Sequence, residues 1–367
     1  MTAMRIVVKL GTSVLTMGTP SLNRQRMLEI VQQIARAHQE GHEVILVTSG
    51  AVAAGRERLG FPELGRSLPH KQMFSAVGQS RLMQLYNELF DIFQIVVAQV
   101  LLTRDDLSDR RRHLNARDTI ATLLEHRIIP IINENDTTAT HEIRVGDNDN
   151  LSALVAALVE ADLLIMLTDQ PGLFTADPRT HADAQLIGEV AKIDDSTWAV
   201  ASGTNSDLGT GGMTTKLQAA QLAGRSGVMT VISGGSLPDV ITRLLTGEQL
   251  GTRFPASTTH LESRKRWLMM EKPRGTVYVD DGAAKKLLTG GASLLPVGIV
   301  RIAREFERGA VVSVIAPSGR SIAHGLTNYD SSDLRKICGV KSPQIVDILG
   351  YSYGDAVIHR NNMVVLT

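Results

Sequence analysis

Between residues 5 and 250 the chain alternates short apolar runs with longer stretches of helical periodicity, and this alternation narrows the fold more than any other feature. The runs at 6–8, 44–47, 95–100, 128–132, 163–167 and 229–232 mostly lack the polar alternation of half-exposed strands, so they predict strands covered on both faces. Helical patterns near 24–39, 70–90, 113–126, 148–160 and 213–226 supply that cover. The expected architecture is α/β, a three-layer αβα sandwich with a mostly parallel central sheet. A chain of 367 residues with 43% apolar side chains can bury such a core and carry a second domain.

The texture changes around 256–274, through Ser257-Thr258-Thr259, the charged Glu262-Ser263-Arg264-Lys265-Arg266 and Lys272-Pro273-Arg274-Gly275. We expect a domain over 1–257, a linker over 258–274 and a small β-rich domain over 275–353, with strand-like runs at 276–279, 298–302 and 310–315. Acidic and basic residues balance at 38 each, which argues against a polyanion binder as a whole. The single Cys338 cannot form an internal disulfide and reads as a packed thiol, since nothing nearby marks an activating base. The start of the chain lacks the apolar core of a secretory signal, and the longest apolar region, 151–167, is broken by Glu160 and Asp162. No membrane span is expected, and a reducing cytoplasm fits.

Gly209-Thr210-Gly211-Gly212-Met213-Thr214-Thr215-Lys216 joins bare backbone, hydroxyls and one cation at the start of a helical run. Glycines let N–H groups approach an anion, and a helix N-terminus favours negative charge, so the loop suits phosphate. It is not a Walker A loop, because Lys216 stands between Thr215 and Leu217 instead of following Gly and preceding Ser or Thr. Taken alone, it also fits a flexible linker carrying a solvated lysine.

Other strand ends decide. Lys9 interrupts the apolar first strand beside Gly11-Thr12-Ser13; it either meets an anion or lies on an edge facing water. Ser49, in Thr48-Ser49-Gly50-Ala51, either caps a helix or belongs to an anion site. Asn133-Glu134-Asn135-Asp136 and Gly146-Asp147-Asn148-Asp149-Asn150 exceed what turns require; they could grip an ammonium group or organise Mg²⁺ through water, and EF-hand spacing is absent. Thr168-Asp169 ends the strand at 163–167, where open α/β sheets bind ligands, and Asp169 could orient the two lysines or a metal or simply initiate a turn. As a set these groups point to phosphoryl transfer.

Val8-Lys9-Leu10-Gly11-Thr12-Ser13, Val47-Thr48-Ser49-Gly50-Ala51, Leu114-Asn115-Ala116-Arg117-Asp118, the two Asn/Asp clusters, Thr168-Asp169 and the loop ending in Lys216 together resemble the amino acid kinases. Within that family the resemblance spans nearly the whole chain and lies with the branch that phosphorylates the γ-carboxylate of L-glutamate. It implies ATP and Mg²⁺ as cofactors. Lys9, Thr168, Asp169, Thr210, Gly211, Gly212, Met213, Thr214, Thr215 and Lys216 would serve ATP, with Lys9, Lys216 and Asp169 catalytic, and Ser49, Asp136 and Asn148 would hold glutamate. No protein side chain is assigned to the metal.

The resemblance further implies feedback inhibition by proline and a homo-oligomer, dimer or tetramer. The product would be a labile acyl phosphate, suited to delivery to a glutamyl phosphate reductase. The C-terminal module resembles a PUA domain through Asp281-Gly282-Ala283, 293–299 and Ile322-Ala323-His324-Gly325. RNA is not expected as a partner, because acidic residues dilute its arginines and the sequence shows no aromatic stacking platform. The rival readings are a kinase of another small carboxylate on the same fold, and an RNA-binding protein acting through this module.

Overall fold

A computed structural model describes residues 2–64, 67–139, 147–202 and 212–366. The chain divides into two compact units, Met1–Ser108 with Ala116–Thr259, and Asp109–Asn115 with His260–Thr367.

The first unit is built on seven strands: β1 (Arg5–Leu10), β2 (Glu43–Thr48), β3 (Val97–Leu102), β4 (Ile129–Glu134), β5 (Leu163–Thr168), β6 (Met229–Gly234) and β7 (Thr252–Phe254). Their order is β3-β4-β2-β1-β5-β6-β7, parallel except for β7, which pairs antiparallel to β6. The helices are α1 (Thr12–Thr16), α2 (Arg24–Gln39), α3 (Ala51–Arg58), α4 (Leu68–Asp91), α5 (Arg104–Ser108), α6 (Arg110–Glu125, of which 116–125 belong to this unit), α7 (Asp147–Leu158), α8 (Asp195–Ser202), α9 (Met213–Arg225) and α10 (Val240–Leu245). The αβα sandwich expected from the alternation is present. The expected strands and helices all appear, with ends shifted by a few residues.

The period of two in a strand divides each apolar run between two layers. Ile6, Val8 and Leu10 pack with α2 and α4 residues such as Ile30, Ile34, Leu82 and Tyr86, whereas Val7 packs with Val155 and Ala156 of α7 and Leu217 and Ala220 of α9. Lys9 shares the face of Val7. The central strand therefore aims Lys9 at the layer of α7 and α9, and it is 5% exposed. An edge-strand lysine facing water is excluded.

Helices α3 and α4 cross with almost no side chain between them. A Cβ added at Gly55 would lie 1.8 Å from the Phe74 carbonyl oxygen, and one at Gly78 would lie 1.8 Å from that of Ala51. Both positions need glycine because backbone meets backbone there.

The second unit has the five-stranded sheet β12-β11-β10-β8-β9, formed by β8 (Gly275–Val279), β9 (Ile299–Ala303), β10 (Val311–Ile315), β11 (Ser321–Leu326) and β12 (Met363–Val365). Only β8 and β10 pair in parallel. Its core gathers Val277, Val312, Val314, Tyr329, Leu334 and Ile358. The stretch expected as a linker carries α11 (His260–Met270) and groups with this unit. Three further helices, α12 (Asp281–Gly290), α13 (Ser331–Ile337) and α14 (Ile345–Leu349), make the unit more helical than its strand-like runs suggested. Tyr329, Tyr351 and Tyr353 also cluster, with ring centroids 5.7 and 5.3 Å apart and the Arg308 guanidinium 3.5 Å from the Tyr353 centroid. That grouping was hidden by the 21 residues between Tyr329 and Tyr351.

Candidate active site

The C-terminal ends of β1, β2, β4 and β5 lie side by side at the middle of the sheet, and α1 and α3 begin directly after β1 and β2. Two lysines expected at this edge are brought to one carboxylate. Lys9 Nζ lies 2.5 Å from Asp149 Oδ1, and Lys216 Nζ lies 3.3 Å from Asp149 Oδ2. The Thr215 hydroxyl donates to Asp149 Oδ2 at 2.8 Å. All three charged groups are buried: Lys9 and Lys216 are 5% exposed and Asp149 is 1%.

Asp169 was expected to orient the two lysines or a metal; the carboxylate in direct contact with both lysines is that of Asp149. Asp169 is exposed at the end of β5 and accepts a hydrogen bond from the Thr168 hydroxyl at 2.9 Å. It acts on Lys216 only as a weaker, more distant attraction. Asp149 takes the bridging place because it heads the buried stripe of α7, in helical register with Ser152, Ala153 and Ala156, each 0% exposed. Sequence reasoning quoted Asp149 within its cluster but gave weight to the strand end. An acidic residue on the apolar stripe of a helix was the signal available.

Burial alone pushes the Asp149 carboxyl up, but the charges of Lys9 and Lys216 and hydrogen bonds from Lys9 and Thr215 override it, leaving a pKa of about 2. Burial lowers the Lys216 ammonium below its ordinary value; Asp149 opposes that shift, and the nearby charge of Lys9 adds to it. Among the described residues, two buried cations share the Asp149 carboxylate. A pair of lysines held this way suits an anionic ligand.

The start of α9 points the same way. Gly212 is its N-cap and supplies no side-chain cap, so the N–H groups of the first turn remain available to an anion. Met213 and Lys216 are buried, whereas Thr214 and Thr215 are half-buried. Thr210 and Gly211, also expected at the phosphates, lie outside the described residues. The donor set therefore fits a polyphosphate. Among the described residues no group of three or more His, Cys, Asp or Glu side chains is gathered to hold a metal.

A second subsite adjoins the first through the chain itself, because Asn148 immediately precedes Asp149. Asn148 Nδ2 donates to the Thr48 carbonyl at 3.0 Å, to Ser49 Oγ at 2.9 Å and to Asn133 Oδ1 at 3.1 Å. Ser49 thus engages Asn148 and does not cap α3. The cap position belongs to Gly50, whose φ of 101° lies in the left-handed region that favours glycine. Asp136 accepts from the Ser75 hydroxyl of α4 at 2.5 Å. The structure joins Ser49 to Asn148 directly and ties Asp136 to α4, which also reaches this edge through Tyr86, 2.7 Å from the Thr48 hydroxyl.

Gln79, Asn133 and Ser75 join this hydrogen-bond network without having been singled out from the sequence. Asn133 lay inside a quoted cluster. Gln79 and Ser75 gave no local signal, since isolated polar residues in a long helix ordinarily face water.

Residues 4–232 match the model of the amino acid kinase family, and residues 275–349 match the PUA domain. Proteins named glutamate 5-kinase from Sodalis glossinidius and Cronobacter sakazakii are each 55% identical to this chain over 359 residues, covering 98% of both sequences. One from Serratia marcescens is 54% identical over 360 residues with the same coverage. The alternation, the buried pair of lysines at the sheet edge and these matches agree: the chain belongs to the amino acid kinase family, in the branch of the glutamate 5-kinases.

Proposed function

We propose that the protein transfers the γ-phosphoryl group of ATP to the γ-carboxylate of L-glutamate, giving L-glutamyl 5-phosphate and ADP, the first step of proline biosynthesis. The observation that carries this reading is the continuity of Asn148 and Asp149. One residue of the α7 start faces the Ser49 subsite and the next holds both lysines, so acceptor and phosphates would meet across a single helix turn.

The nucleophile needs no general base. A glutamate side chain with a pKa of about 4.3 is already ionised at neutral pH. A carboxylate oxygen forms a bond to the γ-phosphorus while the bond from that phosphorus to the bridging oxygen of ADP breaks, and charge accumulates on the transferred group and the leaving oxygen. Lys9 and Lys216 neutralise that charge, and Asp149 holds them in place before substrate arrives. The uncapped start of α9 orients the phosphates, and Thr168 and Asp169 border them at the end of β5. Mg²⁺ bound with ATP would supply further neutralisation of the phosphate charge. Asn148, Ser49 and Asp136 would hold the acceptor.

We include in this reading inhibition by proline, a homo-oligomeric enzyme and use of the labile acyl phosphate by a reductase. These rest on the family resemblance. The test of the acceptor is ADP release with L-glutamate compared with L-aspartate, N-acetyl-L-glutamate and uridine monophosphate. Turnover confined to glutamate is expected; preference for another acceptor would overturn the assignment.

A further inference from the structure

Three side-chain amides, Asn148, Asn133 and Gln79, form a hydrogen-bonded chain from the end of β2 to α4, and two backbone groups fix the direction of each. The Thr48 carbonyl can only accept, so the Asn148 nitrogen must face it. The Glu134 N–H can only donate, and it meets Asn133 Oδ1 at 2.9 Å, the oxygen that Asn148 Nδ2 also reaches. Asn133 Nδ2 is thereby turned toward Gln79 Oε1, 2.8 Å away.

The two ends of this chain are left over. Asn148 Oδ1 and Gln79 Nε2 are both buried and both lack a hydrogen-bond partner. Turning either amide over does not help: a reversed Gln79 sets its nitrogen against Asn133 Nδ2, and a reversed Asn148 sets its oxygen against the Thr48 carbonyl. Leaving a buried amide group without a partner is costly, because its hydration is lost and nothing replaces it. Here one acceptor and one donor are stranded at opposite ends of the same relay.

We propose that Gln79 is a substrate-binding residue whose Nε2 donates to the α-carboxylate of the amino-acid acceptor, while Asn148 Oδ1 accepts from its α-ammonium group. An α-amino-acid head group is the chemical class that carries both partners at once. The inference rests on the acceptor reading given above and extends it to α4. That helix turns one face toward the site, with Ser75 on Asp136, Gln79 on Asn133 and Tyr86 on Thr48, and the close approach at Gly78 fixes its rotation next to Gln79. An acceptor without an α-carboxylate leaves the Gln79 donor stranded, and one with an acylated nitrogen cannot serve Asn148 fully.

The test is Gln79→Glu. It keeps an oxygen for Asn133 Nδ2 and replaces the stranded donor with an acceptor, so it separates contact with substrate from support of Asn133. The KM for glutamate is expected to rise about ten- to a hundredfold, with the KM for ATP and the melting temperature little changed. The ratio of kcat/KM for glutamate over 4-aminobutyrate, which lacks the α-carboxylate, falls by a similar factor. An unchanged glutamate KM would overturn the proposal and leave Gln79 as a support for Asn133. If Q79E melts early, Gln79→Met decides through the same ratio: a selective loss on glutamate supports the carboxylate contact, and an equal loss on both acceptors overturns it. Wild-type enzyme that is silent on glutamate would sink the acceptor reading itself, a result distinct from an active wild type with an indifferent Q79E.

Discussion

Asp149→Asn is the most informative single change, because it removes one charge while keeping the shape of a side chain that is 1% exposed. Lys9 and Lys216 are then left buried together without their shared anion. Breaking a buried pair by removing one partner commonly costs about 3–5 kcal/mol. The protein has an escape, which is to release a proton from one lysine. Lys216 is the candidate, since burial and Lys9 already push its ammonium below the ordinary value of 10.5. Neutralising a lysine of that ordinary pKa at about pH 7.5 costs about 4 kcal/mol, and the cost falls by about 1.4 kcal/mol for each unit the pH is raised.

The loss of stability is thus bounded at about 4 kcal/mol near neutrality and shrinks in alkali. Catalysis has no such escape, because a neutral or displaced Lys216 no longer meets the transferring phosphoryl group, and kcat is expected to fall about 10²- to 10³-fold. Urea unfolding from about pH 7 to 9, with glutamate-dependent ADP release on the same samples, measures both. ATP should restore more stability to D149N than to the wild type, since its phosphates supply the missing negative charge. A D149N enzyme with near-normal kcat and pH-independent stability would refute the account of Asp149 as the anion that holds the two lysines.

Asn148→Ala and Ser49→Ala should each raise the KM for glutamate by about tenfold while leaving that for ATP nearly unchanged, as steady-state kinetics with each substrate varied will show. Gly78→Val should destabilise the first unit by several kcal/mol, seen as a large drop in melting temperature, because its Cβ would enter the Ala51 carbonyl. Asp149 has its pKa lowered from 3.8 to about 2, so its contribution of about 2 kcal/mol is fully present above about pH 4 and lost as the pH falls through 2. Acid unfolding should therefore begin at higher pH in any variant that lengthens its contacts with the lysines. Lys216→Met, which removes a buried charge without opening a large cavity, should keep the fold by circular dichroism yet lose about two to three orders of magnitude in kcat.

The strands at the sheet centre were legible because burial on both faces leaves an uninterrupted apolar run, and Lys9 stood out against it for the same reason. The three-residue β7 escaped, since an antiparallel pairing so short leaves no periodic trace. Phosphate-side residues were legible where glycine and lysine are adjacent in sequence. Asp149 and Asp169 could not be ranked from spacing, because the choice depends on which helix face turns inward. Gln79 was invisible because its partner, Asn133, is 54 residues away and the relay is completed only when α4 packs on α3. The tyrosine cluster of the second unit was hidden in the same way, by chain separation.

The central claim is that buried lysines and the Asn148 subsite cooperate in making an acyl phosphate, and trapping that product tests it most directly. The purified protein would be incubated with L-glutamate, ATP, Mg²⁺ and hydroxylamine, and glutamyl hydroxamate measured against ADP. Hydroxamate formed in step with ADP, lowered about 10²- to 10³-fold with Lys216→Met and suppressed by proline, is the predicted result. ADP release without hydroxamate, or a folded, ATP-binding protein that forms neither with glutamate, would contradict it.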